Sequence, residues 1–463
     1  MPAAAQTASR PRPPAGSPRP PDPERAWAAY EPSPRRPWDL ARAAHLYRRA
    51  GFGATWGQLQ QALKAGPRRT IDRLLKPPGD LAAFQRTHDD YERAVTSVAA
   101  LRAWWLRRMI RTPHPLGEKL TLFWHDYFAV GAARVGDVSL MQRHVQTLRA
   151  GATGPFPALL ARVARDPAVH LSLGAKANRK TRPTEHFARQ LLERYTVGPG
   201  NYSRRDLRDA ARAMTGWFVL RKRLRYFQRE HDDGEKTVLG TTGRLAAEDL
   251  VRIAAGHEAT ARTVVRRLYR WLVSEADAPG DALLEPLVRA FAADPDVGRL
   301  VGTMLRSNLF FSPTAIGRRI KRPVEYAVGI VRALEANVPT TPLAADLARL
   351  GEDLYNQPTL GGWAGGRNWI NPATLIGRSN LAASLLAPTG PYEGRVDPAG
   401  VARRNGQTHA DAAGRLLVAL LLPPGGEETF ERLRRTVPSG ADLPETLRKL
   451  ALAAVTQPEF HLA

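Results

Sequence analysis

Apolar positions recur at helical spacing through most of the chain. Leu40, Ala43, Ala44 and Tyr47 share one side of a first helix, which Gly51-Phe52-Gly53 ends. Thr55 then caps a second helix, TWGQLQQALKAG. The pattern predicts helices over Leu101–Ile110 and across PHPLGEKLTLFWHDYFAV, where Leu120, Phe123, Trp124 and Phe128 make a wide apolar face. Others are expected near 138–150 and 156–164, and from about Ala246 through HEATARTVVRRLYRWLV to the end. Between 217 and 240 the helical period breaks. Phe218–Leu220 and Leu224–Gln228 are short runs of strand formers, and Asp233-Gly234 precedes Thr237-Val238-Leu239. The fold expected is mainly α, one large multi-helix domain over 38–463 with a small β insertion near 217–240. Residues 1–37 hold eleven prolines and little apolar content, and read as a disordered tail.

Helix signals and polar side chains converge most densely between Pro183 and Lys236. Pro183 suits a first helical position; Phe187, Leu191, Leu192 and Tyr195 then form one face, with Glu185, His186, Arg189, Gln190 and Glu193 opposite. Gly198-Pro199-Gly200 stops that helix. Ser203 with Asp206 three residues on is a capping-box variant opening the next helix, which carries Leu207, Ala210, Ala211 and Met214. The pair forms an αα-hairpin.

Composition narrows the chemistry. The absence of cysteine removes disulfides, thiolate zinc sites, iron–sulfur clusters and cysteine nucleophiles. No apolar run reaches the roughly 18 residues needed to span a bilayer, and the N-terminus has no apolar signal core, so a cytoplasmic location is expected. A net charge of +24 invites a polyanion partner, but 59 of the 68 basic residues are arginines spread through almost every helix, and no nucleic-acid recognition motif accompanies them. Heparin retention beyond that of an equally charged protein would separate the two.

The loop HDDGEK is the densest cluster of reactive side chains. His231 and Asp233 are candidate ligands of a divalent metal, with Asp232 beside them, and Lys236 offers a compact charge to phosphate or sulfate. The competing reading is a plain Asp-Gly turn. Glu185, Arg189 and Glu193 either form surface ion pairs or look inward at this loop. The enzyme reading places His231, Asp232, Asp233, Lys236 and Glu185 around one pocket as catalytic residues. His125 and Asp126 interrupt an apolar helix, and there a core histidine bonded to a carbonyl is favoured over a base. In YNQPTLGGWAGGRNWINP, Trp363, Arg367, Asn368, Trp369 and Asn371 suit either sugar binding or simple packing between helices. HExxH, GxSxG, Walker A and acid-followed dinucleotide signatures are absent.

The segments AHLYRRAGFGAT, EKLTLFWHDYFA, TEHFARQLLERYTVGPGNYSRRDLRDAARAMTGW, HDDGEKTVLG, IKRPVEYAVGIVRAL, LGEDLYNQPTLGGWAGGRNWINPATLIGRSN and QPEFHLA, in that order, resemble the domain of unknown function 1800 family. The match runs from about Trp38 to Ala463. It implies a bacterial, mostly helical protein, often exported, whose gene neighbours resemble phosphatases and sulfatases. The family often reads Asn-Glu-Asn where Thr184-Glu185-His186 stands here, and often has histidine at Tyr127, so a metal at those positions is less expected in this chain. Two functions therefore stay open. One is a metal- or anion-dependent enzyme acting on a phosphorylated, sulfated or saccharide substrate; the other is a non-catalytic scaffold for a phosphatase- or sulfatase-like partner.

Overall fold

The computed structural model describes residues 22–76, 78–276, 278–423, 426–437 and 442–463. Among them the protein is mainly α, with two small two-stranded antiparallel sheets at 217–243. β1 (Trp217–Leu220) pairs with β2 (Arg223–Tyr226), setting Trp217 opposite Tyr226; β3 (Lys236–Val238) pairs with β4 (Thr241–Gly243). The β excursion thus falls where the helical period breaks. No helix among the described residues is long and apolar enough to cross a membrane.

The tail expected over 1–37 divides. Residues 1–21 lie outside the described residues, whereas Pro23–Trp27 is a short helix whose Trp27, like Tyr30, is buried in the core. Trp27 Nε1 donates to Leu283 O at 2.6 Å, so an aromatic anchor ties this proline-rich stretch down despite its composition.

Helix Pro115–Phe128 explains much of the interior. Among its side chains only Asp126 shows partial exposure; the others are buried, so it runs through the core rather than along the surface. Its buried charges are paired. Glu118 accepts from Arg108 at 2.5 Å, from Arg149 at 2.8 Å and from Trp105 Nε1 at 2.9 Å, while Lys119 bonds to Glu325. Glu325 also takes both ends of the Arg319 guanidinium, at 2.7 and 2.8 Å. Buried ions survive only when paired in this way. The last residues of the chain lie along 319–321: Lys321 N donates to His461 O and Ala463 N to Arg319 O, each at 2.8 Å.

The expected αα-hairpin forms with one change. Ser203 Oγ accepts from Asp206 N at 3.1 Å and Asp206 Oδ2 from Ser203 N at 2.8 Å, completing the capping box of helix Arg204–Ala213. The first helix starts later than Pro183, at His186, and after Gln190 it widens into a π turn over Leu191–Tyr195. A π turn accommodates one extra residue, and here it fixes the direction of Arg194.

Candidate functional site

The loop 231–236 is held by its own surroundings. Asp206, Asp209 and Arg212 lie three residues apart on helix 204–213 and face the loop and β3. Leu239 N donates to Asp206 at 2.7 Å and Thr237 N to Asp209 at 2.8 Å. Arg212 grips Asp232 with two bonds, at 2.7 and 3.2 Å, and reaches Glu235 O at 3.0 Å. That contact keeps the Asp232 carboxyl below its usual range. Asp232 also accepts from Gly234 N at 2.9 Å, the local bond of an Asx turn. Lys236 is buried with its amine on the carbonyls of Asp232 and Gly234. His231 Nδ1 faces Thr215 O at 2.9 Å, and Asp233 accepts from Gln228 at 2.9 Å.

The side chains named for catalysis and metal binding therefore point at separate partners. Among the described residues no group of three His, Cys, Asp or Glu is placed to hold a metal ion. Glu185 pairs with Arg189 at 2.6 Å and Glu193 accepts from Tyr202 at 3.2 Å; no bond among the described residues joins these three to 231–236. His125 is a core histidine, but its Nε2 accepts from Tyr355 N at 3.0 Å instead of donating to a carbonyl. Burial holds its pKa far below normal, so it stays neutral.

A different set of side chains does converge. A cleft of about 310 Å³ is lined by Phe123, Asp126 and Tyr127 from helix 115–128, Arg194 from the π turn, Arg267, Arg270 and Trp271 from helix Glu258–Leu272, Glu275, Arg322, and Gly361, Trp363, Ala364, Gly365 and Trp369 of the glycine-rich loop. Arg322 is its centre. The guanidinium lies 4.9, 5.0 and 5.2 Å from the rings of Trp271, Trp363 and Trp369, and bonds to Asp126 and Glu352 at 2.7 Å each. Burial works against its charge; Glu352 and then Asp126 outweigh that, so its pKa rises. The loop is fastened through Asp126, which also accepts from Trp363 N at 2.8 Å. Gly362, with φ +81°, is required for this approach, since a Cβ there would lie 2.2 Å from the Asp126 carboxylate.

The cleft is cationic and rich in unsatisfied donors. Arg194, Arg267 and Arg270 have no carboxylate within ion-pair distance among the described residues, although Arg262 and Arg266 of the same helix pair with Asp281 and Glu285. Arg267 lies 4.3 Å over the Tyr127 ring, and Arg194 donates to Gly361 O at 2.8 Å. Burial, then the neighbouring Arg267, lowers the pKa of Arg194. On its lining residues three buried donors have no acceptor among the described residues: Arg194 Nε, Trp271 Nε1 and Arg322 Nη2. Of the two carboxylates, Asp126 has both oxygens engaged, while Glu275 keeps Oε2 free of hydrogen bonds. Among the described residues the lining is arginine-rich, with Asp126, Glu275 and Tyr127 as its other polar side chains, so the arrangement can hold an anion and accept a hydrogen bond from a hydroxyl.

Of the residues expected to bind, Trp363 and Trp369 wall this cleft, whereas Arg367 and Asn368 are exposed and outside it. The tryptophans pack on Arg322 rather than offering bare faces. Sequence reasoning passed over Arg194, Arg267, Arg270, Trp271, Glu275 and Arg322. One signal was present: Asp126 is a lone acid in an otherwise apolar turn, a position that needs a cation.

No curated protein and no solved structure matches the chain. The profile described as "Protein of unknown function (DUF1800)" matches residues 45–462, and by that near-complete match the chain belongs to the DUF1800 family.

Proposed function

We propose that the arginine-lined cleft binds a small ligand bearing a sulfate or phosphate ester on a saccharide-sized polar body. The observation that carries this reading is the surplus of cations: three arginines without carboxylate partners among the described residues line one cleft, and three of its lining residues also hold a buried N–H without an acceptor. A tetrahedral oxyanion presents several acceptors to planar guanidinium forks, which is the match such a surplus needs. Glu275, whose Oε2 lies 3.9 Å from Arg319 Nε and makes no hydrogen bond, adds a carboxylate to the wall, and the volume lies at the lower end of small-molecule sites, ~300 Å³. The reading keeps the anion-binding half of the expectation and moves it from 231–236 to the cleft.

Titration calorimetry with glucose 6-sulfate, glucose 6-phosphate and unmodified glucose tests it. Saturable binding of the esters alone is expected, weakened about tenfold or more by Arg267→Ala or Arg194→Ala, as for lost charge-assisted hydrogen bonds worth ~1.5–3 kcal/mol. Ester binding undiminished in an Arg194/Arg267/Arg270 triple alanine variant would sink it. The partner-protein reading has one observation of its own: Leu360, Leu375 and Ile376 are exposed on and just after the loop that walls the cleft. It would gain from a partner whose capture is lost in Ile376→Asp and regardless of ester.

A further inference from the structure

Independently of the cleft, a second and much smaller cationic pocket is enclosed by Ala44 and Arg48 of helix Leu40–Ala50, Phe52, Lys321 and Glu325, with Leu420 and Phe460 closing it. Its volume is about 20 Å³, room for one water-sized occupant. Glu325 is its one carboxylate, and both oxygens are taken by Lys119, Arg319 and the Arg322 N–H. Arg48 and Lys321 have no carboxylate within ion-pair distance among the described residues. Lys321 is 4% exposed, its amine makes no hydrogen bond among those residues, and it lies 3.6 Å over the Phe460 ring; Arg48 Nε is buried without an acceptor.

Lys321 is buried and Arg48 partly so, and no carboxylate of the pocket is free to compensate them. Burial is the main cause of the depressed Lys321 pKa; Arg48, Arg378 and Lys119 add to it and Glu325 opposes. His461, whose carbonyl accepts from Lys321 N, is itself lowered to about 4 by burial, Arg378 and Lys321, and brings no charge.

We propose that this pocket is a site for one monatomic halide, chloride in the cell, held between the Arg48 guanidinium and the Lys321 amine. The pocket size selects a single ion over sulfate or phosphate. A bound anion favours the ammonium form that burial disfavours, giving an ammonium–halide–guanidinium contact with no covalent bond made or broken. Halide affinity is therefore coupled to pH and weakens as pH rises.

The test is thermal unfolding of the full chain in sodium chloride, sodium bromide and sodium gluconate at equal ionic strength, at pH 6.5 and 8.5. A saturable rise in Tm with halide but not gluconate, with its midpoint shifted to higher halide at pH 8.5, is expected. Lys321→Met, which replaces the amine by an apolar chain of similar length, should fold and lose both the halide effect and its pH dependence. Should that variant fail to fold, Arg48→Met carries the same expectation, and a bromide-soaked crystal should show one anomalous peak between the two side chains. Equal response to gluconate and halide, an undiminished halide effect in the variants, or no peak would leave Lys321 a simple buried amine and overturn the assignment.

Discussion

Glu118 shows how a single carboxylate is committed in this core. Three donors surround it, and although burial alone would raise its pKa, Arg149 and Arg108 bring it down to about 2. An unfolded glutamate titrates near ~4.3, so the folded state binds its proton less readily than the unfolded one. The stabilisation is fully present above the unfolded value and is lost as pH falls through about 2. Glu325, also lowered to about 2, contributes in the same window. Urea midpoints should therefore drop steeply on acidification through this range. Glu118→Gln should flatten part of that drop while costing ~3–5 kcal/mol at neutral pH, because Arg108 and Arg149 lose their partner. An unchanged acid slope in the variant would show that the pairing is not coupled to folding. The same scale explains what the sequence made legible. Ser203 with Asp206, and Thr55 with Gln58, act within three residues, so their caps could be read directly. Arg322 depends on Asp126 and Glu352, 196 and 30 residues away, and among so many arginines nothing local marked it as the one inside a tryptophan cage.

At the scale of elements, the hairpin loop and the tryptophan loop exchange roles relative to expectation. His231, Asp232, Asp233 and Lys236 looked like a site because the residue types were right; what consumed them, Arg212 and the carbonyls of the loop itself, became visible only once the helix and β3 were packed together. Asp232→Ala should then cost ~1–2 kcal/mol through the lost Arg212 bonds, and the exposed Asp233→Ala less than ~0.5 kcal/mol, with metal content and ester affinity the same in both. Denaturant melts beside elemental analysis check this, and a metal lost in Asp233→Ala would return the loop to the list of sites. The glycine-rich loop went the other way. Its tryptophans wall the cleft, but their partner is the protein's own arginine, and the unpaired charge beside them comes from helix 258–272 and the π turn.

At the scale of the whole molecule, the cleft is assembled from segments that are remote in the chain and is braced from behind by the last few residues. Ile320 and Leu462 form a bridge, and the neighbouring backbone bonds lock 319–321 against 461–463. Phe460 and Ala463 are both buried. Removing residues 460–463 should consequently lower Tm and, in whatever fraction still folds, weaken ester binding, because Arg319 and Arg322 lose their backbone support. Calorimetry of the truncated chain against the full one measures both, and full affinity in the truncated protein would show that the support is dispensable. Mainly helical architecture was legible because helical periodicity is repeated over hundreds of residues, whereas these long-range ties leave no periodic trace.

The π turn at Leu191–Tyr195 has a further consequence, for how the protein can vary. A helix that carries one residue more than its turns require can lose it without breaking the chain path. Deleting Arg194 itself would let the segment relax to ordinary α winding with what lies beyond it kept in place, and would take the guanidinium out of the cleft. The length of this one segment, rather than the identity of any side chain, thus sets whether a guanidinium faces Gly361 and the cleft. Relatives differing there by a single codon would keep their fold and present a cleft of different charge.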